Sequence, residues 1–276
     1  MTYSNFLIIF LLMPIGLLAA LTIGQRRPLP AALTGWPAAA VLAGHMLVAL
    51  LYTTPWDNYL VATRVWWYDP ALVSGLVLGW VPVEEYLFFV LQPVAAGLWL
   101  LWWARRLPVF AASRRGHTIR WSAAGLAGLV WLAAAAIHWA GWLPGTYLAL
   151  ELLWALPPIM LQLAFGADIL WRHRRLLAMA IIPPTLYLSA ADALAINAGT
   201  WTINPAQSLQ IYLGGILPLE EFIFFGLTNT LLGFGMVLVL ARQSHRRMER
   251  RVKQARNFWG RLPASVNIQK NVKRKT

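Results

Sequence analysis

Cysteine is absent from the 276 residues, which excludes disulfides, thiolate nucleophiles and thiolate metal sites. Charge is scarce: 12% of the residues are Asp, Glu, Lys or Arg, against roughly 25% in a typical soluble domain. Acidic residues are scarcer still, 10 against 23 basic ones. Every lysine (Lys253, Lys270, Lys273 and Lys275) lies in the C-terminal tail. A retinal-binding receptor or pump, which needs a Schiff-base lysine inside its bundle, is therefore set aside. No Gly-x-Gly-x-x-Gly follows a strand, so no dinucleotide fold is indicated. The histidines, His45, His117, His138, His173 and His245, show no paired metal spacing, and no metal centre is expected.

What the chain does have is apolar length. Hydrophobic residues make up 59% and the mean hydropathy is +0.58, the composition of an integral membrane protein. About 20 apolar residues cross a hydrocarbon core of ~30 Å. Seven such stretches are present, near 4–23, 35–53, 82–104, 121–139, 145–171, 176–193 and 218–241. No basic residue precedes the first run, Phe6 to Ala20, so it reads as a membrane helix and not a signal peptide. The formal charge of +13 resides in short clusters between spans and in the tail, which argues for topology signals and against a nucleic-acid partner. Cytoplasmic loops are enriched in Lys and Arg. An outside N-terminus puts Arg26, Arg27, Arg105 through Arg120, Arg172 through Arg175 and the tail after Ala241 inside, leaving Arg64 alone outside. The expected location is a bacterial inner membrane with a cytoplasmic C-terminus. The acidic residues are biased the other way, only Asp168 and Glu249 lying toward the inside.

One phrase occurs twice: VPVEEYLFF at 81–89 and LPLEEFIFF at 217–225. Around it Asp57 aligns with Asp192, Trp66 with Trp201 and Pro70 with Pro205. After a one-residue gap Pro82 aligns with Pro218, Glu84 with Glu220, Glu85 with Glu221, Phe88 with Phe224 and Phe89 with Phe225. The expected fold is all-α, seven transmembrane helices in a 3+1+3 parallel tandem repeat. Its parts are a first repeat over 1–120, a linking helix over 121–140, a second repeat over 141–241 and a basic tail over 242–276. Parallel repeats put a shared site near their interface. The outer connections, Trp56 to Val81 and Asp192 to Leu217, are expected to fold inward as re-entrant or capping segments, because lipid tolerates irregular backbone only under cover.

An acidic residue at a helix centre costs about 2.5 to 3.5 kcal/mol on translocon scales, so two aligned pairs point to function. Pro82 and Pro218 suit the first helical position, which places each pair in the first turn. Adjacent helical residues diverge by about 100°, so one carboxyl of each pair is expected to face a cavity and the other a neighbouring element. The bland alternative is a pair of N-terminal glutamates favoured by the helix dipole. The sharper reading is proton donation into an apolar substrate. The aromatic residues Trp66, Trp67, Trp80, Trp201, Phe88, Phe89, Phe224 and Phe225 are placed around the motifs to stabilise positive charge.

The doubled Pro-x-Glu-Glu phrase, the upstream TPWDN at 54–58 and the tandem arrangement resemble the heterodimeric-type lycopene cyclases, with their two small membrane subunits fused. The resemblance runs to about Ala241. It implies cyclisation of the linear ends of lycopene to β-ionone rings, giving γ-carotene and then β-carotene, with no net redox change and no cofactor. It implies Glu84, Glu85, Glu220 and Glu221 as the essential acids. Asp57, Trp66, Phe88, Phe89, Asp192, Trp201, Phe224 and Phe225 then surround substrate and cation. The implied partners are an apolar carotenoid, the lipid bilayer and other carotenoid-biosynthesis enzymes. A proton-coupled transporter built from parallel three-helix repeats is the alternative from a different class.

Overall fold

The computed structural model describes residues 1–25, 27–110 and 116–259. Arg26, Arg114, Arg115 and the tail from 260 onward, all assigned to the basic side above, lie outside the described residues. Seven helices are long and apolar enough to cross a membrane: α1 Tyr3–Gly24, α2 Ala38–Ala62, α3 Val83–Ala104, α4 Gly116–Trp139, α5 Thr146–Arg172, α6 Arg174–Asn197 and α7 Leu219–Leu240. A basic helix, α8 Arg242–Trp259, follows. Two central helices, α3 and α7, are the most enclosed and touch each other. Helix α3 packs on α1, α2 and α6, and α7 on α5, α6 and α2, while α4 packs chiefly on α5.

Two spans run longer than their hydropathy. Helix α2 continues past 53 through Pro55 to Ala62, and α6 continues past 193 to Asn197. The polar residues there are not leaving the bundle. Trp56 Nε1 donates to the Leu150 carbonyl at 3.1 Å, Asn58 Nδ2 to the Thr54 carbonyl at 2.9 Å, and Asp57 is buried. Asp57 and Asp192 thus belong to the last turns of helices, not to the connections. In α1 a wide π-helical stretch, Ile8–Leu12, precedes Pro14. Proline has no N–H to offer four residues back, and the Tyr187 hydroxyl donates to the Phe10 carbonyl at 3.2 Å.

The connections are capping ribbons and contain no re-entrant helix. Strand β1, Trp66–Tyr68, comes from the first connection and pairs antiparallel with β4, Trp201–Ile203, from the second. Their register is Trp66 to Ile203, Trp67 to Thr202 and Tyr68 to Trp201. Each connection ends in a small hairpin, β2 Val77–Leu78 with β3 Val81–Pro82, and β5 Tyr212–Leu213 with β6 Leu217–Pro218. Pro82 and Pro218 are therefore the extended residues capping α3 and α7, one position before the expected first helical one. Left-handed backbone recurs at matched places: Arg64 (φ 59°) and Gly199 (φ 72°), Gly75 (φ 82°) and Gln210 (φ 56°), Gly79 (φ 66°) and Gly214 (φ 59°). In the first two cases glycine fills the strained position in one connection only.

Polar bonds tie the interior. Gln92 Nε2 on α3 donates to Asn229 Oδ1 on α7 at 3.1 Å, and Asn229 Nδ2 donates to the Phe225 carbonyl at 2.9 Å and to Thr185 Oγ1 at 3.2 Å. At the basic end Arg247 of α8 clasps Asp168 of α5, Nη1 to Oδ1 at 2.9 Å and Nη2 to Oδ2 at 2.5 Å. Arg120 of α4 approaches the same carboxylate at 3.7 Å. Nearby His173, between α5 and α6, is buried beside Arg172, and burial first and that guanidinium second push its imidazole down to about 4.

Candidate active site

At the end of the bundle opposite that clasp, six helices and both ribbons enclose one cavity of about 50 Å³. Four carboxyls line it: Asp57 from the last turns of α2, Glu85 from the first turn of α3, Asp192 from α6 and Glu221 from the first turn of α7. Trp66, Trp201, Phe88, Phe89, Phe224 and Phe225 line it as well. No Lys, Arg or His is among its lining residues. A water occupies roughly 10–15 Å³ on this kind of measure, so the cavity admits a few waters, and any larger occupant requires the aromatic walls to part.

The members of each glutamate pair separate as a helix requires. Glu85 and Glu221 face the cavity, whereas Glu84 and Glu220 are absent from its lining. Glu84 instead accepts from the Ser74 backbone N at 2.6 Å and from Ser74 Oγ at 3.0 Å. Glu220 accepts from the Leu209 backbone N at 2.6 Å. Both thereby bind the outer connections to the helix starts. Trp80, placed near the motif by sequence, is 66% exposed and outside the cavity.

Three tyrosines and a further acid carried no signal that sequence reasoning used. The hydroxyls of Tyr3, in the first turn of α1, and Tyr68, on β1, both donate to Glu85 Oε2, the latter at 2.9 Å. Tyr147, in the first turn of α5, donates to Glu221 Oε1 at 2.7 Å. The place matching Tyr68 on β4 is Ile203, which donates nothing, so the two glutamates are unequally held. Burial, then the Asp57 and Glu85 carboxyls, push the Tyr68 phenol well above its ordinary value, which keeps it a donor. Trp201 Nε1 donates to Asp192 Oδ1 at 2.9 Å. Glu151, fully buried on α5 one turn beyond Tyr147, has no hydrogen-bond partner for either oxygen among the described residues. The only hint in sequence was tyrosine at the start of a first helix in each half.

The rings close over the carboxyls. Trp56 stacks on Phe224 with centroids 5.8 Å apart, Tyr3 lies 4.9 Å from Trp201, and Phe88 meets Phe225 edge-on at 6.4 Å. Aromatic faces attract cations, and here they share a buried chamber with proton-exchanging groups and no protein cation among its lining residues. Among the described residues no group of three or more His, Asp or Glu is placed to hold a metal ion.

Fold and site together describe an integral membrane protein with buried carboxyls gathered in an aromatic chamber at one end of its helix bundle. Comparison with known proteins gives the particular family. The family model described as lycopene cyclase matches residues 2–103 and 144–240, and the chain belongs to that family. A lycopene beta-cyclase of Halobacterium salinarum is 40% identical over 208 residues, 71% of this chain and 82% of that protein. The bifunctional lycopene cyclase/phytoene synthase of Podospora anserina is 34% identical over 200 residues, 70% of this chain and 34% of that one. Its counterpart in Phaeosphaeria nodorum is 36% identical over 204 residues, with 69% and 34% covered. No solved structure matches the chain. Family membership displaces the transporter reading.

Proposed function

We propose that this protein closes the linear ends of lycopene into β-ionone rings, with γ-carotene as the intermediate and β-carotene as the final product. The observation that carries this reading is one aromatic chamber holding four carboxyls and no basic side chain. Its one missing partner is a transient positive charge, and a cyclising polyene supplies one.

In the proposed sequence a carboxyl proton of Glu221 adds to the terminal C=C and leaves a tertiary carbocation. The neighbouring C=C attacks it, forming the ring C–C bond and moving the charge to a ring carbon. Loss of an adjacent ring proton to the Glu85 carboxylate forms the ring double bond. One proton is gained and one lost, so the product is an isomer. The roles follow from unequal hydrogen bonding. Two phenols donate to Glu85 Oε2, which favours its carboxylate form, whereas Glu221 receives a single phenol and its proton is held against one donor fewer; each keeps one oxygen free of a phenol. Asp57, Asp192, Trp66, Trp201, Phe88, Phe89, Phe224 and Phe225 surround the cation. Glu84 and Glu220 position the chamber's roof.

Both glutamates share one chamber, so the reading has one ring formed per visit and the two ends processed in turn. It also has the halves as two copies of one unit, residues 1–120 and 141–241, joined by the helix at 121–140 and followed by the basic tail. The matched left-handed positions and the symmetric β1–β4 register support that division. The basic end faces the cytoplasm of a bacterial inner membrane, and partners are the carotenoid, the bilayer and neighbouring carotenoid-biosynthesis enzymes.

The test is expression of this chain alone in a lycopene-accumulating bacterium, with pigments resolved by chromatography. Appearance of γ-carotene followed by β-carotene is expected. Unchanged lycopene, with the protein verified in the membrane, refutes the reading.

A further inference from the structure

A 50 Å³ chamber, even with its aromatic walls parted, holds at most the reacting end of a long polyene, so the remainder must lie elsewhere. Two larger apolar cavities flank the central helices. One, about 590 Å³, lies among α2, α3, α5 and α7. The other, about 570 Å³, lies among α1, α3 and α6. Of the two, only the first adjoins the acid chamber: Phe88, Phe89 and Phe224 line both. The second shares no lining residue with the chamber.

The first cavity has the dimensions of a chain. Its floor is one face of α2 and the residues just before it, in two rows at four-residue spacing, from Trp36 to Tyr52 and from Val41 to Thr53. Seventeen residues at 1.5 Å each give a length of about 26 Å. Ala40, Gly44 and Ala49 keep the floor low, and a Cβ at Gly44 would meet nothing within 4 Å. Several polar side chains along it bond to backbone or to a neighbouring amide, while Gln162 Oε1 has no partner among the described residues. His45 Nδ1 bonds the Val41 carbonyl at 2.7 Å, Gln162 Nε2 the Leu231 carbonyl at 3.0 Å, and Gln92 its amide partner Asn229. The trough that remains is long, narrow and apolar, and it ends at the aromatic collar of the acid chamber.

We propose that the α2/α5/α7 groove is the binding site for the uncyclised polyene of the substrate, whose linear end passes the collar of Phe88, Phe89 and Phe224 to reach Glu85 and Glu221. The α1/α3/α6 groove takes no part in the reaction. This assignment rests on the cyclase reading and adds to it the side from which substrate enters and the path its tail follows.

The test uses the full chain carrying Gly44→Trp, with Ala95→Leu in the other groove for comparison. Gly44 lies nine residues, about 14 Å, below Thr53 at the top of the floor, and replacing a mid-helix glycine does not weaken the helix. Two substrates are compared: lycopene, and an analogue with the same linear end but without the distal half of the polyene. Gly44→Trp is expected to raise KM or lower turnover for lycopene at least tenfold and to leave the short analogue near the wild-type rate, with Ala95→Leu close to wild type on lycopene. Equal lycopene kinetics in Gly44→Trp and wild type, or a parallel loss on both substrates, overturns the proposal. Wild type inactive on both refutes the cyclase reading itself. A second measurement is independent of turnover: Glu221→Gln protein purified from lycopene-producing cells should retain bound lycopene, and adding Gly44→Trp should remove at least nine-tenths of it. Equal retention, or only phospholipid in the Glu221→Gln protein, assigns the groove to lipid and overturns the proposal.

Discussion

Replacing Glu221 by Gln removes a proton and little else. The amide has the same size, its oxygen can still accept from Tyr147 at the 2.7 Å now spanned, and the first-turn position on α7 is unchanged. What is lost is the carboxyl proton that starts the reaction in the proposed sequence. A positioned general acid contributes roughly 10²- to 10⁴-fold, about 2.7 to 5.4 kcal/mol of barrier. Turnover of lycopene by purified Glu221→Gln protein should fall within that range with an unchanged melting temperature. The informative comparison is Glu220→Gln, one residue away. Its amide oxygen can still accept from the Leu209 N–H, and only the charge assistance of that bond is lost, about 1 kcal/mol of stability. The melting temperature of Glu220→Gln should therefore drop by a few degrees while turnover stays within tenfold of wild type. Two results would refute the reasoning: Glu221→Gln retaining more than a tenth of wild-type turnover, or a folded Glu220→Gln as inactive as Glu221→Gln.

Other expectations follow from neighbouring contacts. Tyr68→Phe deletes one of the two donors that hold Glu85 as the accepting carboxylate; loss of a hydrogen bond to a charged group costs that form about 1.5–3 kcal/mol, so fewer molecules carry the acceptor and turnover should fall roughly tenfold or more at unchanged KM. Arg64 is an L-residue in left-handed backbone where the matched position has Gly199, so Arg64→Gly should raise thermal stability by about 1 kcal/mol, measured by unfolding in detergent. Asp168→Ala strands Arg247, otherwise bonded at 2.5 and 2.9 Å, and should lower stability by about 2–4 kcal/mol; proteolysis should then release α8 sooner. His173 ordinarily titrates at 6.5 and here at about 4, so its neutral form belongs to the folded state. Its contribution is whole above pH 6.5 and is lost as pH falls from 6.5 toward 4, up to about 3 kcal/mol. His173→Gln should flatten that slope in melting temperature against pH.

Hydropathy alone located all seven spans because each is close to the length a bilayer demands, and the doubled phrase located the acid-bearing helix starts. Where the structure differs from the sequence expectation the cause is shared: the bundle interior near its end is polar, and in sequence that polarity resembles the end of a helix. Asp57 and Asp192 read as loop residues for that reason, although Pro55 is accommodated within α2, Trp56 and Asn58 bond inside the fold, and Asp57 is buried. Which member of each pair faces the chamber depends on where the hairpins β2–β3 and β5–β6 deliver the chain, and that is a tertiary fact. Tyr3, Tyr68 and Tyr147 were invisible because a tyrosine near a membrane surface is commonplace. Only the fold brings their hydroxyls to two particular carboxyls.

Helix α4 lies outside the body that makes the chamber, packing chiefly on α5, yet the chamber depends on it through parity. Three helices bring a chain from one face of the membrane to the other. A second triplet joined directly would enter upside down, leaving Glu85 and Glu221 on opposite faces, about 30 Å apart. One additional crossing restores the direction, and any odd number would serve. The direction α4 sets depends on its length and not on its detailed sequence, apart from the face packed on α5 and Arg120 beside Asp168, and cutting the chain on either side of it should leave the other six helices able to reassemble. Excising it should abolish activity even with every chamber residue intact.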